Sequence, residues 1–496
     1  MDGRFRQVGR GANEHINEFH SYTAYYQNRT INMAQDTVKI IERCQVAPPP
    51  SSLPSTTLPL TFFDIPWFLC SHIKRIFFYD FPYPTHHFLQ TTLPILKHSL
   101  SLTLQHFFPF ASNLVVPSQR EHPFIRYLDG DSVSFTVAES KADNFTTLTS
   151  DSPQDLRNLH PLAPTLSPPR LEEDGTRVFP IMAIQVTILP NSGFSLCLTF
   201  NHLAADGKSL HHFIKHWACV CKARGDLASI EGSLPLPSHE RDRVKDPHGL
   251  KLLYLQELEN IEHNSTESTL LREDVFIKKV RSTIVLTREQ VEKIKKYANN
   301  YNTGSGALHI STFVVTCSLI WVCLLKSEEG KEKCDEELCH LVILADCRDR
   351  PEFSLSSTYF GNCILFGLAK VKRSEVMGEN AMVVAASAIE RRIRELKSDA
   401  WTKAKALMSE CREWWGKPSS VAVAGSPKLA VYGTDFGWGK PKKSEAAHIE
   451  SSASFSLSDC RDPNGAIEVG LALENIRMNN FINILEHQLN NVMLSN

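Results

Sequence analysis

The sequence predicts a mixed α/β protein built from two halves. Residues 194–201 alternate apolar with smaller or polar side chains, which is the period of a β-strand that packs one face on a core. Apolar side chains then recur at helical spacing over residues 210–221, and Gly225 is a suitable helix stop. Residues 226–274 become polar and proline-bearing, as expected of a crossover between two folded units.

Length and composition are typical of a globular protein with more than one domain. A chain of 496 residues, 42% hydrophobic and 22% charged, predicts roughly two to four domains. The net charge of −2 gives no bulk attraction to nucleic acid or membranes, so we expect neither partner. Thirteen scattered cysteines and a polar N-terminus without an apolar signal segment favour free thiols in a reducing compartment, which predicts a cytoplasmic location.

The first half begins with a segment that lacks periodicity, residues 1–32, which we predict to be a flexible N-terminal extension. The first domain then covers residues 33–225. Its predicted elements, in chain order, are a strand at 38–47, a helix at 85–107, a hairpin at 124–139 that turns at Asp129-Gly130, a strand at 179–186, a returning strand at 194–201 and the helix at 210–221.

The second half follows the linker at residues 226–274 and forms a second domain over residues 275–496. Strand and helix periods alternate in it as in the first half. Its predicted elements, in chain order, are a strand at 278–286, a helix at 288–299, a core helix at 312–325, a strand at 340–345, helices at 378–396 and 403–415, a strand at 429–432, a hairpin at 452–473 and a C-terminal helix.

His202 and Asp206 stand in the turn between the predicted strand and helix. A rigid strand that holds an accessible turn is a common mount for catalytic side chains. The functional interpretation needs a neutral imidazole that faces a cleft and is held by a neighbour. The structural interpretation makes Asp206 a helix N-cap and His202 a hydrogen-bonded core residue. Spacing alone favours the structural interpretation, because roughly one such pair is expected by chance.

Three further histidines on the same helix invite a metal-site interpretation: His211, His212 and His216. No HExxH pattern or acidic third ligand accompanies them, and Lys208 and Lys215 lie close by in the sequence. We therefore interpret the three as part of a solvated polar face and expect no metal ion.

Two charged segments mark the second half. Asp435 precedes two glycines that bracket a tryptophan, residues 437–439, and this composition predicts a tight turn. Arg348 belongs to a cluster of acidic and basic residues directly after a predicted strand. A buried ion pair between Asp435 and Arg348 is the hypothesis that these two segments suggest.

Three motifs together resemble those of the plant BAHD acyltransferases. They are HLAAD at residues 202–206, DFGWG at 435–439 and YFGNC at 359–363, and the last is similar to the signature of the anthocyanin/flavonoid branch of that family. HxxxD alone is nonspecific, whereas DFGWG together with YFGNC is highly specific. The resemblance covers residue 33 to the C-terminus, and it reverses the interpretation of His202.

The resemblance implies two similar domains of the chloramphenicol acetyltransferase-like fold, with an active-site channel between them. It implies that His202 is the general base and that Asp206 orients the loop of His202. The other motif residues are implied to be mainly structural, although catalytic support has also been proposed for the motif; they are Asp435, Gly437, Trp438 and Arg348.

The same resemblance implies an acyl-CoA-dependent O-acyltransferase that acts as a monomer on a sugar hydroxyl of a phenolic or flavonoid glucoside. It implies acyl-CoA as a co-substrate and no permanently bound cofactor. YFGNC favours malonyl-CoA as the donor, with hydroxycinnamoyl-CoA as the rival. Transfer to an amine and a catalytically inactive binding homologue are the remaining alternatives.

Several residues are candidate substrate contacts. Asn201 stands where many family members carry a second histidine, and we expect it to tune activity rather than abolish it. A malonyl carboxylate needs a basic partner, for which Arg177, at the start of the predicted hairpin strand, is the candidate. The candidates for contacts with CoA, for each of which an ordinary surface or capping role is equally open, are Lys278, Lys279, Arg281, Ser282, Ser311 and Thr312.

Overall fold

The computed structural model describes most of the chain from Thr37 onward. The described ranges are 37–118, 122–142, 144–233, 235–264, 279–300, 310–328, 334–414, 417, 419–451, 454–462 and 464–494. The extension predicted at residues 1–32 lies outside them, and so does Lys278.

The described residues contain eighteen strands. In chain order they are β1 Val38–Val46, β2 Thr56–Pro59, β3 Ile73–Asp80, β4 Asn113–Val116, β5 Phe124–Tyr127, β6 Val133–Ser140, β7 Gln154–Asp155, β8 Arg170–Leu171, β9 Arg177–Pro180, β10 Met182–Leu189, β11 Gly193–Phe200, β12 Lys279–Leu286, β13 Leu338–Asp346, β14 Ile364–Lys372, β15 Ser420–Ala424, β16 Lys443–Ala446, β17 Ser454–Asp459 and β18 Ile467–Glu474.

The same residues contain eleven α-helices, and a π-helical turn at Phe88–Thr92 joins the first two into one continuous helical stretch. In chain order the helices are α1 Thr85–His87, α2 Leu93–His106, α3 Phe145–Leu148, α4 Gly207–Lys222, α5 Leu250–Asn264, α6 Arg288–Asn300, α7 Thr312–Lys326, α8 Arg373–Met377, α9 Ala381–Ser398, α10 Ala400–Trp414 and α11 Asn475–Leu494.

Two large mixed sheets form the framework. The six-stranded sheet has the order β1-β6-β10-β11-β3-β16, and the seven-stranded sheet has the order β14-β13-β15-β17-β18-β12-β7. The hairpin β10–β11 is confirmed, with Met182 opposite Phe200 and Leu189 opposite Gly193. Both of its strands are buried along their whole length, because the sheet is covered on both faces.

Each large sheet ends in a strand from the other half of the sequence. β16, from the second half, pairs antiparallel with β3 and closes the six-stranded sheet. β7, from the first half, pairs antiparallel with β12 and closes the seven-stranded sheet. The two halves are therefore joined by reciprocal backbone hydrogen bonding as well as by side-chain packing.

The hairpin predicted at residues 124–139 is wrong. Gly130 does turn the chain, with φ of +91°, but β5 and β6 then enter different sheets. β5 pairs with β2 and β4 in a five-stranded sheet, of order β2-β5-β4-β9-β8, whereas β6 pairs with β1 and β10. Alternation identified both strands correctly, but it carries no information about the partner of a strand.

The strand predicted at residues 429–432 is also wrong. The chain there forms two short 3₁₀ turns, and Ala430 has φ of +49°, which a strand does not allow. The carboxylate of Asp459 accepts hydrogen bonds from the backbone N–H groups of Val431 at 2.7 Å and Tyr432 at 3.2 Å. A long-range carboxylate thus replaces the sheet ladder as the partner of this segment.

The hydrophobic core follows the two sheets. In the first half it includes the apolar face of α4, which presents Leu210, Phe213, Ile214 and Trp217 to the sheet and to α2. In the second half α7 is buried from Val314 to Leu325, as expected for a helix that is apolar on every side. No helix among the described residues is long and apolar enough to cross a membrane.

A buried ion pair lies where the two halves exchange strands. Arg281 on β12 is 1% exposed, and its Nε donates to Glu445 Oε2 on β16 at 2.5 Å. Lys443 and Thr283 also approach the Glu445 carboxylate, at 3.6 and 3.4 Å. Burial alone would raise the pKa of Glu445, but Arg281 and Lys443 outweigh it and the pKa is lowered. The carboxylate is therefore ionised at neutral pH.

Breaking this pair on one side should destabilise the protein more than removing both charges. We expect Arg281→Met to lower the free energy of unfolding by about 3–5 kcal/mol, because Glu445 is left buried without its main partner. The double variant Arg281→Met/Glu445→Leu should recover much of that loss. Chemical denaturation of the wild type, both single variants and the double variant measures the coupling, and additive effects of the two changes would contradict it.

Candidate active site

His202 lies directly beyond the end of β11, in the turn that leads into α4. Its side chain is largely buried, at 8% exposed. The preceding residue, Asn201, is also buried, and its Oδ1 accepts a hydrogen bond from the N–H of Leu203 at 3.0 Å. The side chain of Asn201 therefore holds the shape of the turn in which the imidazole is mounted.

Asn362, from the second half, fixes the imidazole of His202. Its Nδ2 donates to the carbonyls of His202 and Leu203, at 2.9 and 3.2 Å, and to Asp64 Oδ1 at 2.9 Å. Its Oδ1 consequently faces His202 Nδ1, at 3.1 Å. Because an amide oxygen only accepts, His202 Nδ1 must carry the proton of the neutral ring. The other ring nitrogen, Nε2, is left with a free electron pair that can accept a proton.

A second layer of charged groups holds Asn362. The Asp64 carboxylate is fully buried, and its Oδ2 accepts from Arg241 Nη1 at 2.7 Å and from the N–H of Thr61 at 2.7 Å. Arg241 is 3% exposed, and its Nη2 donates to the carbonyl of Ala204 at 3.1 Å, within the turn itself. The pair thus ties the segment before Trp67 to the turn after β11.

The indole of Trp67 covers one face of the imidazole. The ring centroids of Trp67 and His202 lie 3.7 Å apart, and the ring planes are inclined by 4°. Trp67 belongs to a 3₁₀ helix, Ile65–Leu69, that starts immediately after Asp64. The same short segment therefore anchors Asn362 and stacks on the ring that Asn362 orients.

Burial dominates the titration of His202. It lowers the pKa of the imidazole to about 4, against weaker opposing effects of the backbone, Asp206, Asn362 and Asp64. The ring is therefore neutral at pH 7, which is the state that a general base requires.

Asp206 is fully buried and does not contact the imidazole through its carboxylate. Its Oδ1 accepts from the N–H of Ser209 at 2.9 Å, so Asp206 is the N-cap of α4. Its Oδ2 accepts from the N–H of Cys363 at 3.1 Å and forms an ion pair with Arg348 Nη2 at 2.8 Å. The N-cap that the sequence suggested is present, and the same carboxylate also binds the loop that carries Asn362.

Arg348 pairs with Asp206 and Asp346, and the predicted pair with Asp435 is wrong. Its guanidinium is 3% exposed and reaches Asp346 Oδ1 at 2.8 Å and the carbonyl of Gly361 at 3.0 Å. Burial alone would lower the pKa of Arg348, but the two carboxylates outweigh it and the pKa is raised. Arg348 therefore stays charged and joins α4 to the YFGNC loop.

Gly361 in that loop has no room for a side chain. A Cβ atom at this position would lie 2.9 Å from the hydroxyl of Tyr359, and the backbone has φ of +153°. The carbonyl of Gly361 accepts from Ser209 Oγ at 3.0 Å as well as from Arg348. A glycine here allows both the positive φ and the close packing of the Tyr359 ring on the backbone of the loop.

Asp435 lies at the opposite end of α4. Its Oδ2 pairs with Lys222 Nζ at 2.7 Å, and its Oδ1 accepts from the N–H groups of Gly437 and Gly439 at 2.8 and 3.0 Å. Burial alone would raise its pKa, but Lys222 and the two amides lower it. Asp206 and Lys222 are at opposite ends of α4, about 24 Å apart at a rise of 1.5 Å per residue, so Asp435 is remote from the histidine turn.

Aromatic packing holds the DFGWG segment against the first half. Phe436 packs edge-on against Trp217 of α4, with centroids 5.0 Å apart, and against Tyr79 of β3 at 5.9 Å. Trp438 stacks on Phe436 and meets Phe194 edge-on. These contacts give the segment a packing role between the halves.

The other predicted contacts are scattered. Arg177 lies on β9, in the five-stranded sheet, and not at the start of the β10–β11 hairpin as predicted, because Ile181 separates the two strands. Arg281 is buried on Glu445, so a phosphate could reach it only by breaking that pair. Ser282 Oγ donates to the carbonyl of Asp151 at 2.9 Å. Lys279 begins β12, and Ser311 N-caps α7 immediately before Thr312.

The interpretation of the three α4 histidines as a solvated polar face is wrong for His211 and His216, whereas His212 is half-buried. His211 is 3% and His216 is 6% exposed, and burial lowers their pKa values to about 3 and about 4. His211 Nδ1 lies 2.7 Å from the carbonyl of Gly207, and His212 Nε2 lies 2.7 Å from that of Pro235. His211 and His216 are therefore neutral core residues, and His211 Nε2 and His216 Nδ1 have no hydrogen-bond partner among the described residues. No group of metal-ligating side chains occurs among those residues.

Sequence reasoning missed Asn362, Asp64, Arg241 and Trp67 as parts of the site. Asn362 stands inside the YFGNC motif, which was noticed without assigning a role to any of its side chains. Asp64 and Trp67 lie in the aromatic-rich segment 62–68, whose composition by itself indicates core packing. Arg241 lies in the segment interpreted as a linker, where no pattern distinguished it from its charged neighbours.

Comparison with known proteins identifies relatives over nearly the whole chain. A family model described as "Transferase family" matches residues 37–488. Coumaroyl-CoA:anthocyanidin 3-O-glucoside-6''-O-coumaroyltransferase 1 from Arabidopsis thaliana is 40% identical over 461 residues, covering 90% of this chain and 97% of that protein. Malonyl-coenzyme A:anthocyanin 3-O-glucoside-6''-O-malonyltransferase from Dahlia pinnata is 34% identical over 471 residues, covering 92% and 98%.

The predicted fold class is confirmed by a solved structure. The crystal structure of vinorine synthase superimposes with a TM-score of 0.62 at 18% sequence identity, over 90% of this chain and 98% of that chain. At this identity the likeness establishes the fold alone.

The two ion pairs of α4 should differ greatly in their effect on stability. We expect Arg348→Met to lower the free energy of unfolding by about 3–5 kcal/mol, because it leaves Asp206 buried without its cation. Lys222→Met is the matched control; it removes an exposed partner of Asp435 and should cost about 1 kcal/mol or less. Chemical denaturation measures both. Equal losses in the two variants would contradict this assignment of partners.

Proposed function

The chain belongs to the BAHD family of acyltransferases, and from this membership and the arrangement around His202 we propose that it transfers an acyl group from CoA to a sugar hydroxyl of a phenolic glucoside. The observation that carries the proposal is the hydrogen bond between His202 Nδ1 and Asn362 Oδ1 at 3.1 Å. That bond directs the free electron pair of the imidazole to Nε2, where a substrate hydroxyl could deliver its proton.

The reaction needs only one proton carrier. His202 Nε2 takes the proton of the acceptor hydroxyl while the hydroxyl oxygen attacks the thioester carbonyl of acyl-CoA. The tetrahedral intermediate then expels the CoA sulfur, which takes the proton back from the imidazolium. Because both substrates bind at once, no acyl-enzyme forms and the protein supplies mainly position.

Asp206 and Arg348 serve this reaction by holding its base. The Asp206 carboxylate binds the YFGNC loop through Cys363 N–H and Arg348, and the loop in turn presents Asn362 to the imidazole. Asp435 acts at a distance, by keeping the DFGWG segment packed between the halves. These roles follow from the contacts of each side chain rather than from contact with a reacting atom.

We propose a hydroxycinnamoyl group as the acyl group, in place of the malonyl group that YFGNC favoured. The coumaroyltransferase relative is 40% identical to this chain and the malonyltransferase relative is 34% identical. A malonyl carboxylate would also need an accessible cation, and Arg177, the candidate for it, belongs to a different sheet from the strand that leads to His202. Malonyl-CoA is the second candidate, which the family motif supports.

We further propose that the chain acts as a cytosolic monomer. One chain supplies His202 from its first half and Asn362 from its second, so the proposed site needs no partner subunit. All thirteen cysteines are free thiols, which fits a reducing compartment.

Removal of the imidazole should abolish transfer without unfolding the protein. We expect His202→Ala to lower kcat by about 1,000-fold or more, because it removes the group that accepts the hydroxyl proton in the proposed reaction. CoA release from acyl-CoA in the presence of a flavonoid glucoside measures the rate, and circular dichroism verifies the fold. His86→Ala, which alters an exposed histidine, is the control and should behave as the wild type. Near-normal transfer by His202→Ala would refute the proposal.

A panel of donors and acceptors should identify the acyl group. We expect product with coumaroyl-CoA and a glucosylated flavonoid, and at least tenfold less product with malonyl-CoA, measured by mass spectrometry under equal substrate concentrations. The aglycone is the control acceptor and should give none, because the sugar hydroxyl is the proposed nucleophile. Product from an amine acceptor alone would instead identify an N-acyltransferase.

A further inference from the structure

We infer that Trp67 stabilises the positive charge that His202 acquires during the reaction, by presenting the face of its indole to the imidazolium. The inference rests on the proposed role of His202 as the base. Nothing in the sequence motifs assigns a role to Trp67, which reads there as one of several core aromatics.

The geometry is that of a full ring stack. The centroids of Trp67 and His202 are 3.7 Å apart and the planes differ by 4°. This separation is well inside the distance of about 6 Å within which a cation is attracted to an aromatic face, and tryptophan has the most favourable face of the aromatic residues. A neutral imidazole gains little electrostatically from such a stack, whereas an imidazolium gains more. The contact therefore favours the charged state that forms in the reaction.

Asp206 and Asp64 also favour the imidazolium, but each shares its charge with an arginine. Asp206 is engaged by Arg348, and Asp64 is engaged by Arg241, so each nearby carboxylate is already balanced by a cation. Asn362 is neutral and binds Nδ1 in both protonation states of the ring.

One further titratable group acts on the imidazole, from the segment after β16. His448 lies within electrostatic range of His202, but burial lowers its pKa to about 3 and it is neutral at working pH. No other charged group among the described residues occupies the face of the Trp67 indole. This face is therefore available to stabilise the positive charge that forms on His202.

The placement of Trp67 is also well fixed. The residue follows Asp64, whose carboxylate accepts from Asn362, Arg241 and Thr61. Pro66 lies in the first turn of the 3₁₀ helix that carries the indole. Any movement of the stack would disturb the network that orients the imidazole, so the indole is held in register with the ring before substrates bind.

The indole N–H adds a second feature to the site. Trp67 Nε1 is buried and has no hydrogen-bond partner among the described residues. Burying such a donor without a partner costs free energy, which a bound substrate oxygen would recover. The ring face and the N–H can be separated experimentally, because phenylalanine keeps an aromatic face and lacks the N–H.

Fluorinated tryptophans at position 67 alone test the role of the ring face. Each fluorine weakens the negative potential of the face with little change of shape, so the fold is retained. Amber suppression places mono-, di-, tri- and tetrafluorotryptophan at this position. We expect kcat/KM to fall steadily with fluorine number, and the tetrafluoro variant should have a kcat/KM about tenfold below that of the wild type. The acid limb of the pH profile should shift to lower pH in the same order.

The same series at Trp401 is the matched control. Trp401 packs on Phe62 and Phe353, and it should tolerate fluorination without a trend in kcat/KM. Trp67→Phe tests the N–H: a raised KM with an intact acid limb assigns it to substrate binding. If Trp67 acted only as a cover that excludes water, fluorination would change nothing and Trp67→Leu would shift the acid limb to higher pH.

The outcomes separate this inference from the proposed function. A flat fluorine series in an enzyme that His202→Ala inactivates overturns the role of Trp67 and leaves the function standing. Activity in His202→Ala overturns both.

Discussion

The carboxamide of Asn362 is the group on which the arrangement of the site depends. It belongs to the second half, yet it binds the imidazole, two carbonyls of the turn after β11 and the carboxylate of Asp64. An amide is suited to this position because it donates and accepts without carrying charge. Its one acceptor atom selects the tautomer of His202, and its donors close the turn against the segment before Trp67.

Around this contact the protein buries charges in matched pairs. Asp64 with Arg241 and Asp206 with Arg348 each combine a fully buried carboxylate with an arginine that is 3% exposed. Pairing of this kind offsets the cost of desolvation, but it adds little net stability, so its value lies in specifying one geometry. For the imidazole between the pairs, burial outweighs the opposing effects of Asp206, Asn362 and Asp64, so its pKa falls to about 4.

The strands that the two halves exchange also help to specify one geometry of the site. Because β16 completes the first sheet and β7 completes the second, neither half presents the site by itself. The loop carrying Asn362 is therefore held against α4 by backbone pairing at a distance as well as by Arg348. A site whose parts come from both halves needs such a join, since a displacement of about 1 Å can cost about a hundredfold in rate.

Local pattern determined a good deal about this protein. The alternation of residues 194–201 and the helical period after them placed His202 in a turn between β11 and α4, and Asp206 caps that helix as its residue type predicts. Three motifs were enough for the family. These features are set by neighbours in the chain, through backbone sterics and side-chain periodicity, so a single sequence carries them.

Only the tertiary structure decided which distant groups meet. In the tertiary structure Arg348 pairs with Asp206, and Lys222 pairs with Asp435. β5 and β6 belong to different sheets. Asn362 and Trp67 both contact the imidazole of His202. A buried arginine or amide needs hydrogen-bonding partners, and an arginine also needs an opposite charge. Many residues of the chain could serve as these partners. The choice among them is made by the packing of the whole chain, which no local period or spacing encodes.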